Sequence, residues 1–104
     1  MSKFYNILGS AGVDSELIAP GADNNIKAVS IANLHGTNNA TVSLFIQDDP
    51  TSGSTSTYNI IYKIAIPPAS TLFLDDENMF RFGRQFGLYI NVGSSDTVDV
   101  IINQ

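Results

Sequence analysis

Cysteine is absent from the 104 residues, which excludes disulfides, a thiolate nucleophile and any cysteine-based zinc site, and with them a disulfide-stapled secreted scaffold. Stability must come from packing. Positive charge is scarce as well: five Lys or Arg stand against ten Asp or Glu, for a formal charge of −5. Lys3, Lys27, Lys63, Arg81 and Arg84 are scattered, and only the last two lie close enough to form a local patch. Nucleic acids and anionic membranes are held by clustered cations, so neither is expected as a partner. The N-terminal MSKFYNILGSAG lacks the basic segment and apolar run of a signal peptide. No apolar stretch approaches the roughly 18 residues of a membrane span, so a soluble chain made in a cytosol is expected.

The usual catalytic groups are sparse too. His35 is the only histidine, so a Ser/His/Asp triad would have to be assembled around a turn residue; a solvated turn residue is the simpler reading, since histidine tolerates unusual backbone angles. Asp75-Asp76-Glu77-Asn78 offers oxygens for a hard cation such as calcium, with Asp48-Asp49 as a second pair if the fold brings both turns to one end. Its spacing matches no known calcium loop, and acidic turns are common without metal. Nothing marks a carboxylate pair for sugar hydrolysis. Gly83-Arg84-Gln85-Phe86-Gly87 lacks the lysine and following helix of a phosphate cradle. No catalytic residue, cofactor or metal site is therefore predicted, and an enzyme is not expected.

What is present is β-patterned. Apolar residues make up 43% of the chain and charged ones 14%, enough for one core, with Ser, Thr and Asn serving the surface. Residues 26–47, IKAVSIANLHGTNNATVSLFIQ, read as two strands joined by the Gly/Asn-rich turn at His35–Asn39, and a hairpin is expected there. Val42, Leu44 and Ile46 share one parity and Thr41, Ser43 and Gln47 the other, while Phe45 breaks the alternation. Ser15–Ala19 is a weaker strand ended by Pro20-Gly21, and Thr51–Thr57 a polar surface loop. Tyr58, Ile60, Tyr62, Ile64 and Ile66 make the cleanest alternation, closed by Pro67-Pro68. Leu72 and Leu74 mark a short strand, and Met79–Gln85 is a loop or edge strand. Phe86–Val92 and Thr97–Ile102 are two more strands, read as a hairpin around Gly93-Ser94-Ser95-Asp96.

Seven or eight strands with regular turns and no long helical stripe predict an all-β fold: a single antiparallel two-sheet β-sandwich, immunoglobulin-like or jelly-roll. The even-numbered apolar positions from Val42 to Ile102 are its expected core. Residues 13–104 form the domain, and residues 1–12 are an edge strand or an arm that docks on a neighbour. The run Phe80, Arg81, Phe82, Arg84, Phe86 and Tyr89 has interface composition, though its rings serve equally well to close one end of the core.

The segments IKAVSIANLHGTNNATVSLFIQD, YKIAIPPASTLFLDDEN and TVDVIIN, over residues 26–103, resemble small β-sandwich structural proteins of tailed-bacteriophage virions. The shared pieces are the I-K-x-V/I-x-I-A-N strand leading through a Gly/Asn turn to A-T-V-S-L, and the I-P-x-x-S/T-L-x-L-D element. Phe80–Gly87 departs from the pattern, in which a Gly-Asp pair usually precedes the last strands. The resemblance implies a non-enzymatic virion protein, first of all a capsid decoration (cement) protein bridging capsid subunits, with a neck, tail or baseplate position as the alternative. Its partners would be the major capsid protein or other virion proteins, and as a building block present in repeated copies it is expected to be a homo-oligomer. The contact residues expected are Phe4, Tyr5, Ile7 and Leu8 with Phe80, Arg81 and Phe82. The reading from a different class is a carbohydrate-binding module in which Tyr58, Tyr62 or Tyr89 stacks on a sugar.

Overall fold

The computed structural model describes residues 2–9, 14–22, 25–48, 56–83, 85–93 and 95–104. Eight strands follow one another: β1 (Ser2–Leu8), β2 (Asp14–Ile18), β3 (Ala28–Asn33), β4 (Ala40–Asp48), β5 (Thr57–Ile66), β6 (Thr71–Leu74), β7 (Phe86–Val92) and β8 (Thr97–Asn103). They form two four-stranded sheets, ordered β1-β8-β3-β6 and β2-β7-β4-β5, and every pairing is antiparallel. The all-β two-sheet sandwich expected from the alternation is what forms. Pairing β1 with β8, β2 with β7, β3 with β6 and β4 with β5 folds the chain's first half back along its second, which is the jelly-roll topology.

That topology corrects both expected hairpins. β3 and β4 lie in different sheets, as do β7 and β8, and only the consecutive pair β4 and β5 is hydrogen-bonded. Gly/Asn-rich turns reverse the chain in either case. What differs is whether the returning strand stays in its sheet or crosses the core, which turn composition does not encode. A single 3₁₀ turn, Glu77–Phe80, replaces part of the expected loop or edge strand; the Asp76 side chain caps it by accepting from Asn78 N.

Inward positions of β3, β4, β7 and β8 supply Val29, Ile31, Val42, Leu44, Leu88, Ile90, Val92, Val98, Val100 and Ile102, all buried. Full burial of each such side chain is worth about 1.5–3 kcal/mol. On β5 the expected core holds at Ile66, with Ile60 packed against it, but fails at Tyr58, Tyr62 and Ile64, which are exposed. Between Val42 and Leu44 the β5 partner steps from Ile64 to Ile61, and between Leu44 and Phe45 from Ile61 to Asn59. Each step carries one extra residue on β5, a bulge that flips its parity. Ile61 therefore turns to Leu44 and the core, and Tyr62 is released outward.

One polar group crosses the interior. Asn33, buried at the end of β3, donates from Nδ2 to Asn38 O (2.9 Å), Ile66 O (3.0 Å) and Pro67 O (3.2 Å), and its Oδ1 accepts from His35 N (2.9 Å). It ties the β3–β4 connection to the point where the chain leaves β5 for the other sheet.

Ile66→Ala, at a site 2% exposed, should cost about 2–5 kcal/mol. Ile64→Ala, at 40% exposed, should cost under about 1.5 kcal/mol, and urea midpoints read the difference. Asn33→Ala should cost about 2–5 kcal/mol in the same assay, because it strips buried carbonyls of their donor; an unchanged midpoint would remove Asn33 from this role.

Candidate functional site

The seven expected contact residues separate by side. Along β1, Phe4, Asn6 and Leu8 point away from the core; Phe4 is 71% and Leu8 69% exposed. Tyr5 and Ile7 point inward and pack against the core. The Tyr5 hydroxyl donates to Leu17 O of β2 at 2.5 Å, so it bridges the two sheets. Phe80 is 2% exposed and belongs to the core, Phe82 packs against that core, and only Arg81 of this trio is exposed. Phe80 is thus a core residue, and Tyr5 and Ile7 face the core rather than the outer surface.

The N-terminal segment is likewise no detached arm: residues 2–8 are β1, paired with β8 along their whole length. Removing them would strip β8 of one of its two neighbours and withdraw Tyr5 and Ile7, so the truncated chain is expected to lose stability as well as any contact. Phe80–Phe82 follow β6, the opposite edge of the same sheet, and the longer aromatic run disperses. Phe86 meets Tyr58 edge-on at 5.9 Å, and Tyr89 stacks on Phe45 at 5.8 Å. Arg84 lies outside the described residues.

Two surfaces remain. On the outer face of β1-β8-β3-β6 the register aligns Phe4, Ile101, Ser30 and Phe73 in one row across all four strands. The next row is Asn6, Asp99, Ala32 and Thr71, where Asn6 Nδ2 donates to Asp99 Oδ1 at 2.7 Å. The first row is uncharged, and Phe4 and Phe73 are both exposed.

On the outer face of β2-β7-β4-β5 lies a groove of about 410 Å³. Thr41, Ser43, Phe45 and Gln47 of β4 line its middle, Asn91 of β7, the following Gly93 and Asp14 of β2 one side, and Thr57, Asn59, Tyr62 and Lys63 of β5 the other. The β5 bulge builds that second side. Lys63 takes a left-handed backbone (φ 49°), and its N–H donates to the buried Ser43 hydroxyl at 2.9 Å. Sequence reading flagged Phe45 as breaking the alternation and Tyr62 and Tyr89 as stacking rings, but gave no sign that a bulge brings Tyr62 to Phe45's face.

Described carboxylates of both acidic turns make local hydrogen bonds. Asp76 is spent on the 3₁₀ cap, Asp48 Oδ1 accepts from Ser56 N at 2.8 Å, and Asp49 lies outside the described residues. Among the described residues no three His, Asp or Glu converge. His35 is not simply solvated: its Nε2 meets Asp96 Oδ1 at 2.9 Å, and Asp96 Oδ2 accepts from Thr41 N at 3.1 Å. This links the β3–β4 and β7–β8 connections at one end of the sandwich.

Burial first, and the Glu16 carboxylate second, raise the Tyr5 hydroxyl above its ordinary pKa of 10.0. Below that value Tyr5 is neutral in both folded and unfolded chains, and its stabilisation is complete. As pH rises past it, the unfolded chain ionises first and stability falls until the folded-state pKa is passed. Tyr5→Phe should cost about 0.5–1.5 kcal/mol near neutrality and flatten the alkaline decline that begins around the ordinary tyrosine pKa of 10.0; urea titrations at neutral and alkaline pH test this, and an unaltered slope would remove Tyr5 as its source.

Comparison with protein-family models, curated proteins and solved structures finds no match to the chain.

Proposed function

We propose that the chain is a non-enzymatic structural protein of a tailed-bacteriophage virion, a capsid decoration protein that stabilises the head by bridging capsid subunits. The observation that carries this reading beyond the resemblance of residues 26–103 is the row Phe4, Ile101, Ser30 and Phe73. An uncharged row with exposed aromatics at both ends has the character of surface that becomes buried against another protein. Strand β1 stands at the edge beside it, and an edge strand offers backbone groups for a neighbouring chain to pair. Jelly rolls serve viral capsid and lectin domains alike, an analogy of fold that by itself assigns no function.

The work such a protein does is mechanical. Bridging contacts that bury about 1,200–2,000 Å² would hold neighbouring subunits against the pressure of a packaged genome. The contact set is revised to Phe4, Leu8 and Phe73 on the outer face, with Arg81 as a flanking cation. Major capsid protein and further copies of this chain are the partners.

Copy number per particle, measured by quantitative mass spectrometry against the major capsid protein, tests the assignment. Hundreds of copies in simple ratio to the capsid lattice are expected; a dozen or a few dozen would move the protein to the neck, tail or baseplate, and absence would overturn the virion reading. Phe4→Asp with Phe73→Asp should leave the domain folded, because both rings are exposed, and lower particle occupancy at least about tenfold.

A further inference from the structure

We propose that the groove over β2, β7, β4 and β5 is a binding site for a neutral saccharide. This site is on the other sheet from the Phe4–Phe73 row and does not depend on the virion reading.

Its construction is specific. An outward side chain on a sandwich strand is ordinarily solvated, yet Phe45 is only 6% exposed. Tyr89 stacks against it with an interplanar angle of 14°, and β5 rises beside it through its bulge. That bulge is held by the Lys63 N–H to Ser43 Oγ bond, and it places Tyr62, exposed itself, among the groove residues. Bulges are over-represented where a strand re-aims a side chain at a site. The groove thus has aromatic carbon chiefly on Tyr62, where Lys63 Nζ stands 5.2 Å from the ring centroid, with the buried Phe45 beneath, in a lining otherwise mostly of hydroxyls and amides.

The lining chemistry selects the ligand class. Thr41, Ser43 and Thr57 bring hydroxyls, and Gln47, Asn59 and Asn91 bring amides, which donate and accept hydrogen bonds without carrying charge. Several are held in place: Gln47 Nε2 donates to Thr57 Oγ1 at 3.2 Å, and Asn91 Nδ2 to Asp14 Oδ1 at 3.0 Å. Asp14 and Lys63 are the charged lining residues, one of each sign and on the two outer strands. This balance suits neither a polyanion nor a polycation. Nucleic acid needs clustered cations, whereas Lys63 shares this face with Asp14 and Glu16. A purely apolar ligand would strip water from the amides and hydroxyls without offering them hydrogen bonds in exchange. A sugar ring, with one apolar C–H face and a rim of hydroxyls, meets both halves of the lining, and the volume lies within the ordinary range of about 300–1,000 Å³ for ligand sites.

The test uses the full chain, ¹⁵N-labelled and titrated with soluble gluco-, manno- and N-acetylglucosamine hexasaccharides, with a heparin hexasaccharide as the charged control. The expected result is saturable binding of at least one neutral oligosaccharide, with amide shifts centred on Ser43, Asn59, Tyr62 and Asn91. Tyr62→Ala should weaken it about tenfold without lowering the thermal midpoint. Phe73→Ala, on the opposite sheet, should leave the affinity unchanged. No saturation by any neutral oligosaccharide at about 10 mM, shifts centred elsewhere, preference for heparin, or wild-type affinity in Tyr62→Ala would each overturn the site.

Discussion

The Asn33 carboxamide is the constraint on which the assembly of the two sheets turns. A buried amide without partners would be a serious cost, so it must be met from several directions at once. Here it is met by carbonyls of Asn38, Ile66 and Pro67 and by the N–H of His35. Those partners belong to the chain's departure from β3 and its departure from β5, both points at which it changes sheets. Apolar burial drives the sheets together but is not directional. Directional bonds at the crossing select one register.

The same end of the sandwich carries a second polar link, His35 to Asp96 to the Thr41 backbone, so successive connections are fastened to one another. Around the middle of the molecule the logic is different. β3, β4, β7 and β8 are the inner strands of the sheets, and their alternating Val, Leu and Ile fill the interior. The edge strands are free to be irregular: β5 bulges twice, and β2 slips register between Glu16 and Ile18. Beside that slip Gly87 of β7 is so close to β2 that a Cβ would lie 2.4 Å from Ile18 O, which leaves room for glycine alone.

Two faces with different chemistry result. On β1-β8-β3-β6 the outer row is uncharged, with exposed aromatics at both ends, and follows a regular register. On the opposite sheet the bulge raises one wall of a groove whose lining is mostly amide and hydroxyl. If both faces act, a copy docked by the first sheet would present the second outward.

Period-two alternation was enough to find β3 to β8 and the inward residues of β4, β7 and β8, because a strand half in core and half in water writes its orientation directly into the order of its residues. Composition likewise excluded cysteine chemistry. Alternation also marked β5 as a strand, but parity cannot register an inserted residue, so Tyr62 was read as core when the bulge had turned it out. Which strands pair, whether a turn closes a hairpin or crosses between sheets, and which outward side chains gather into a row or a groove were decided only by the tertiary structure. These depend on contacts between residues far apart in the chain, such as Phe4 with Ile101 or Asn33 with Ile66, whose energies have no local signature.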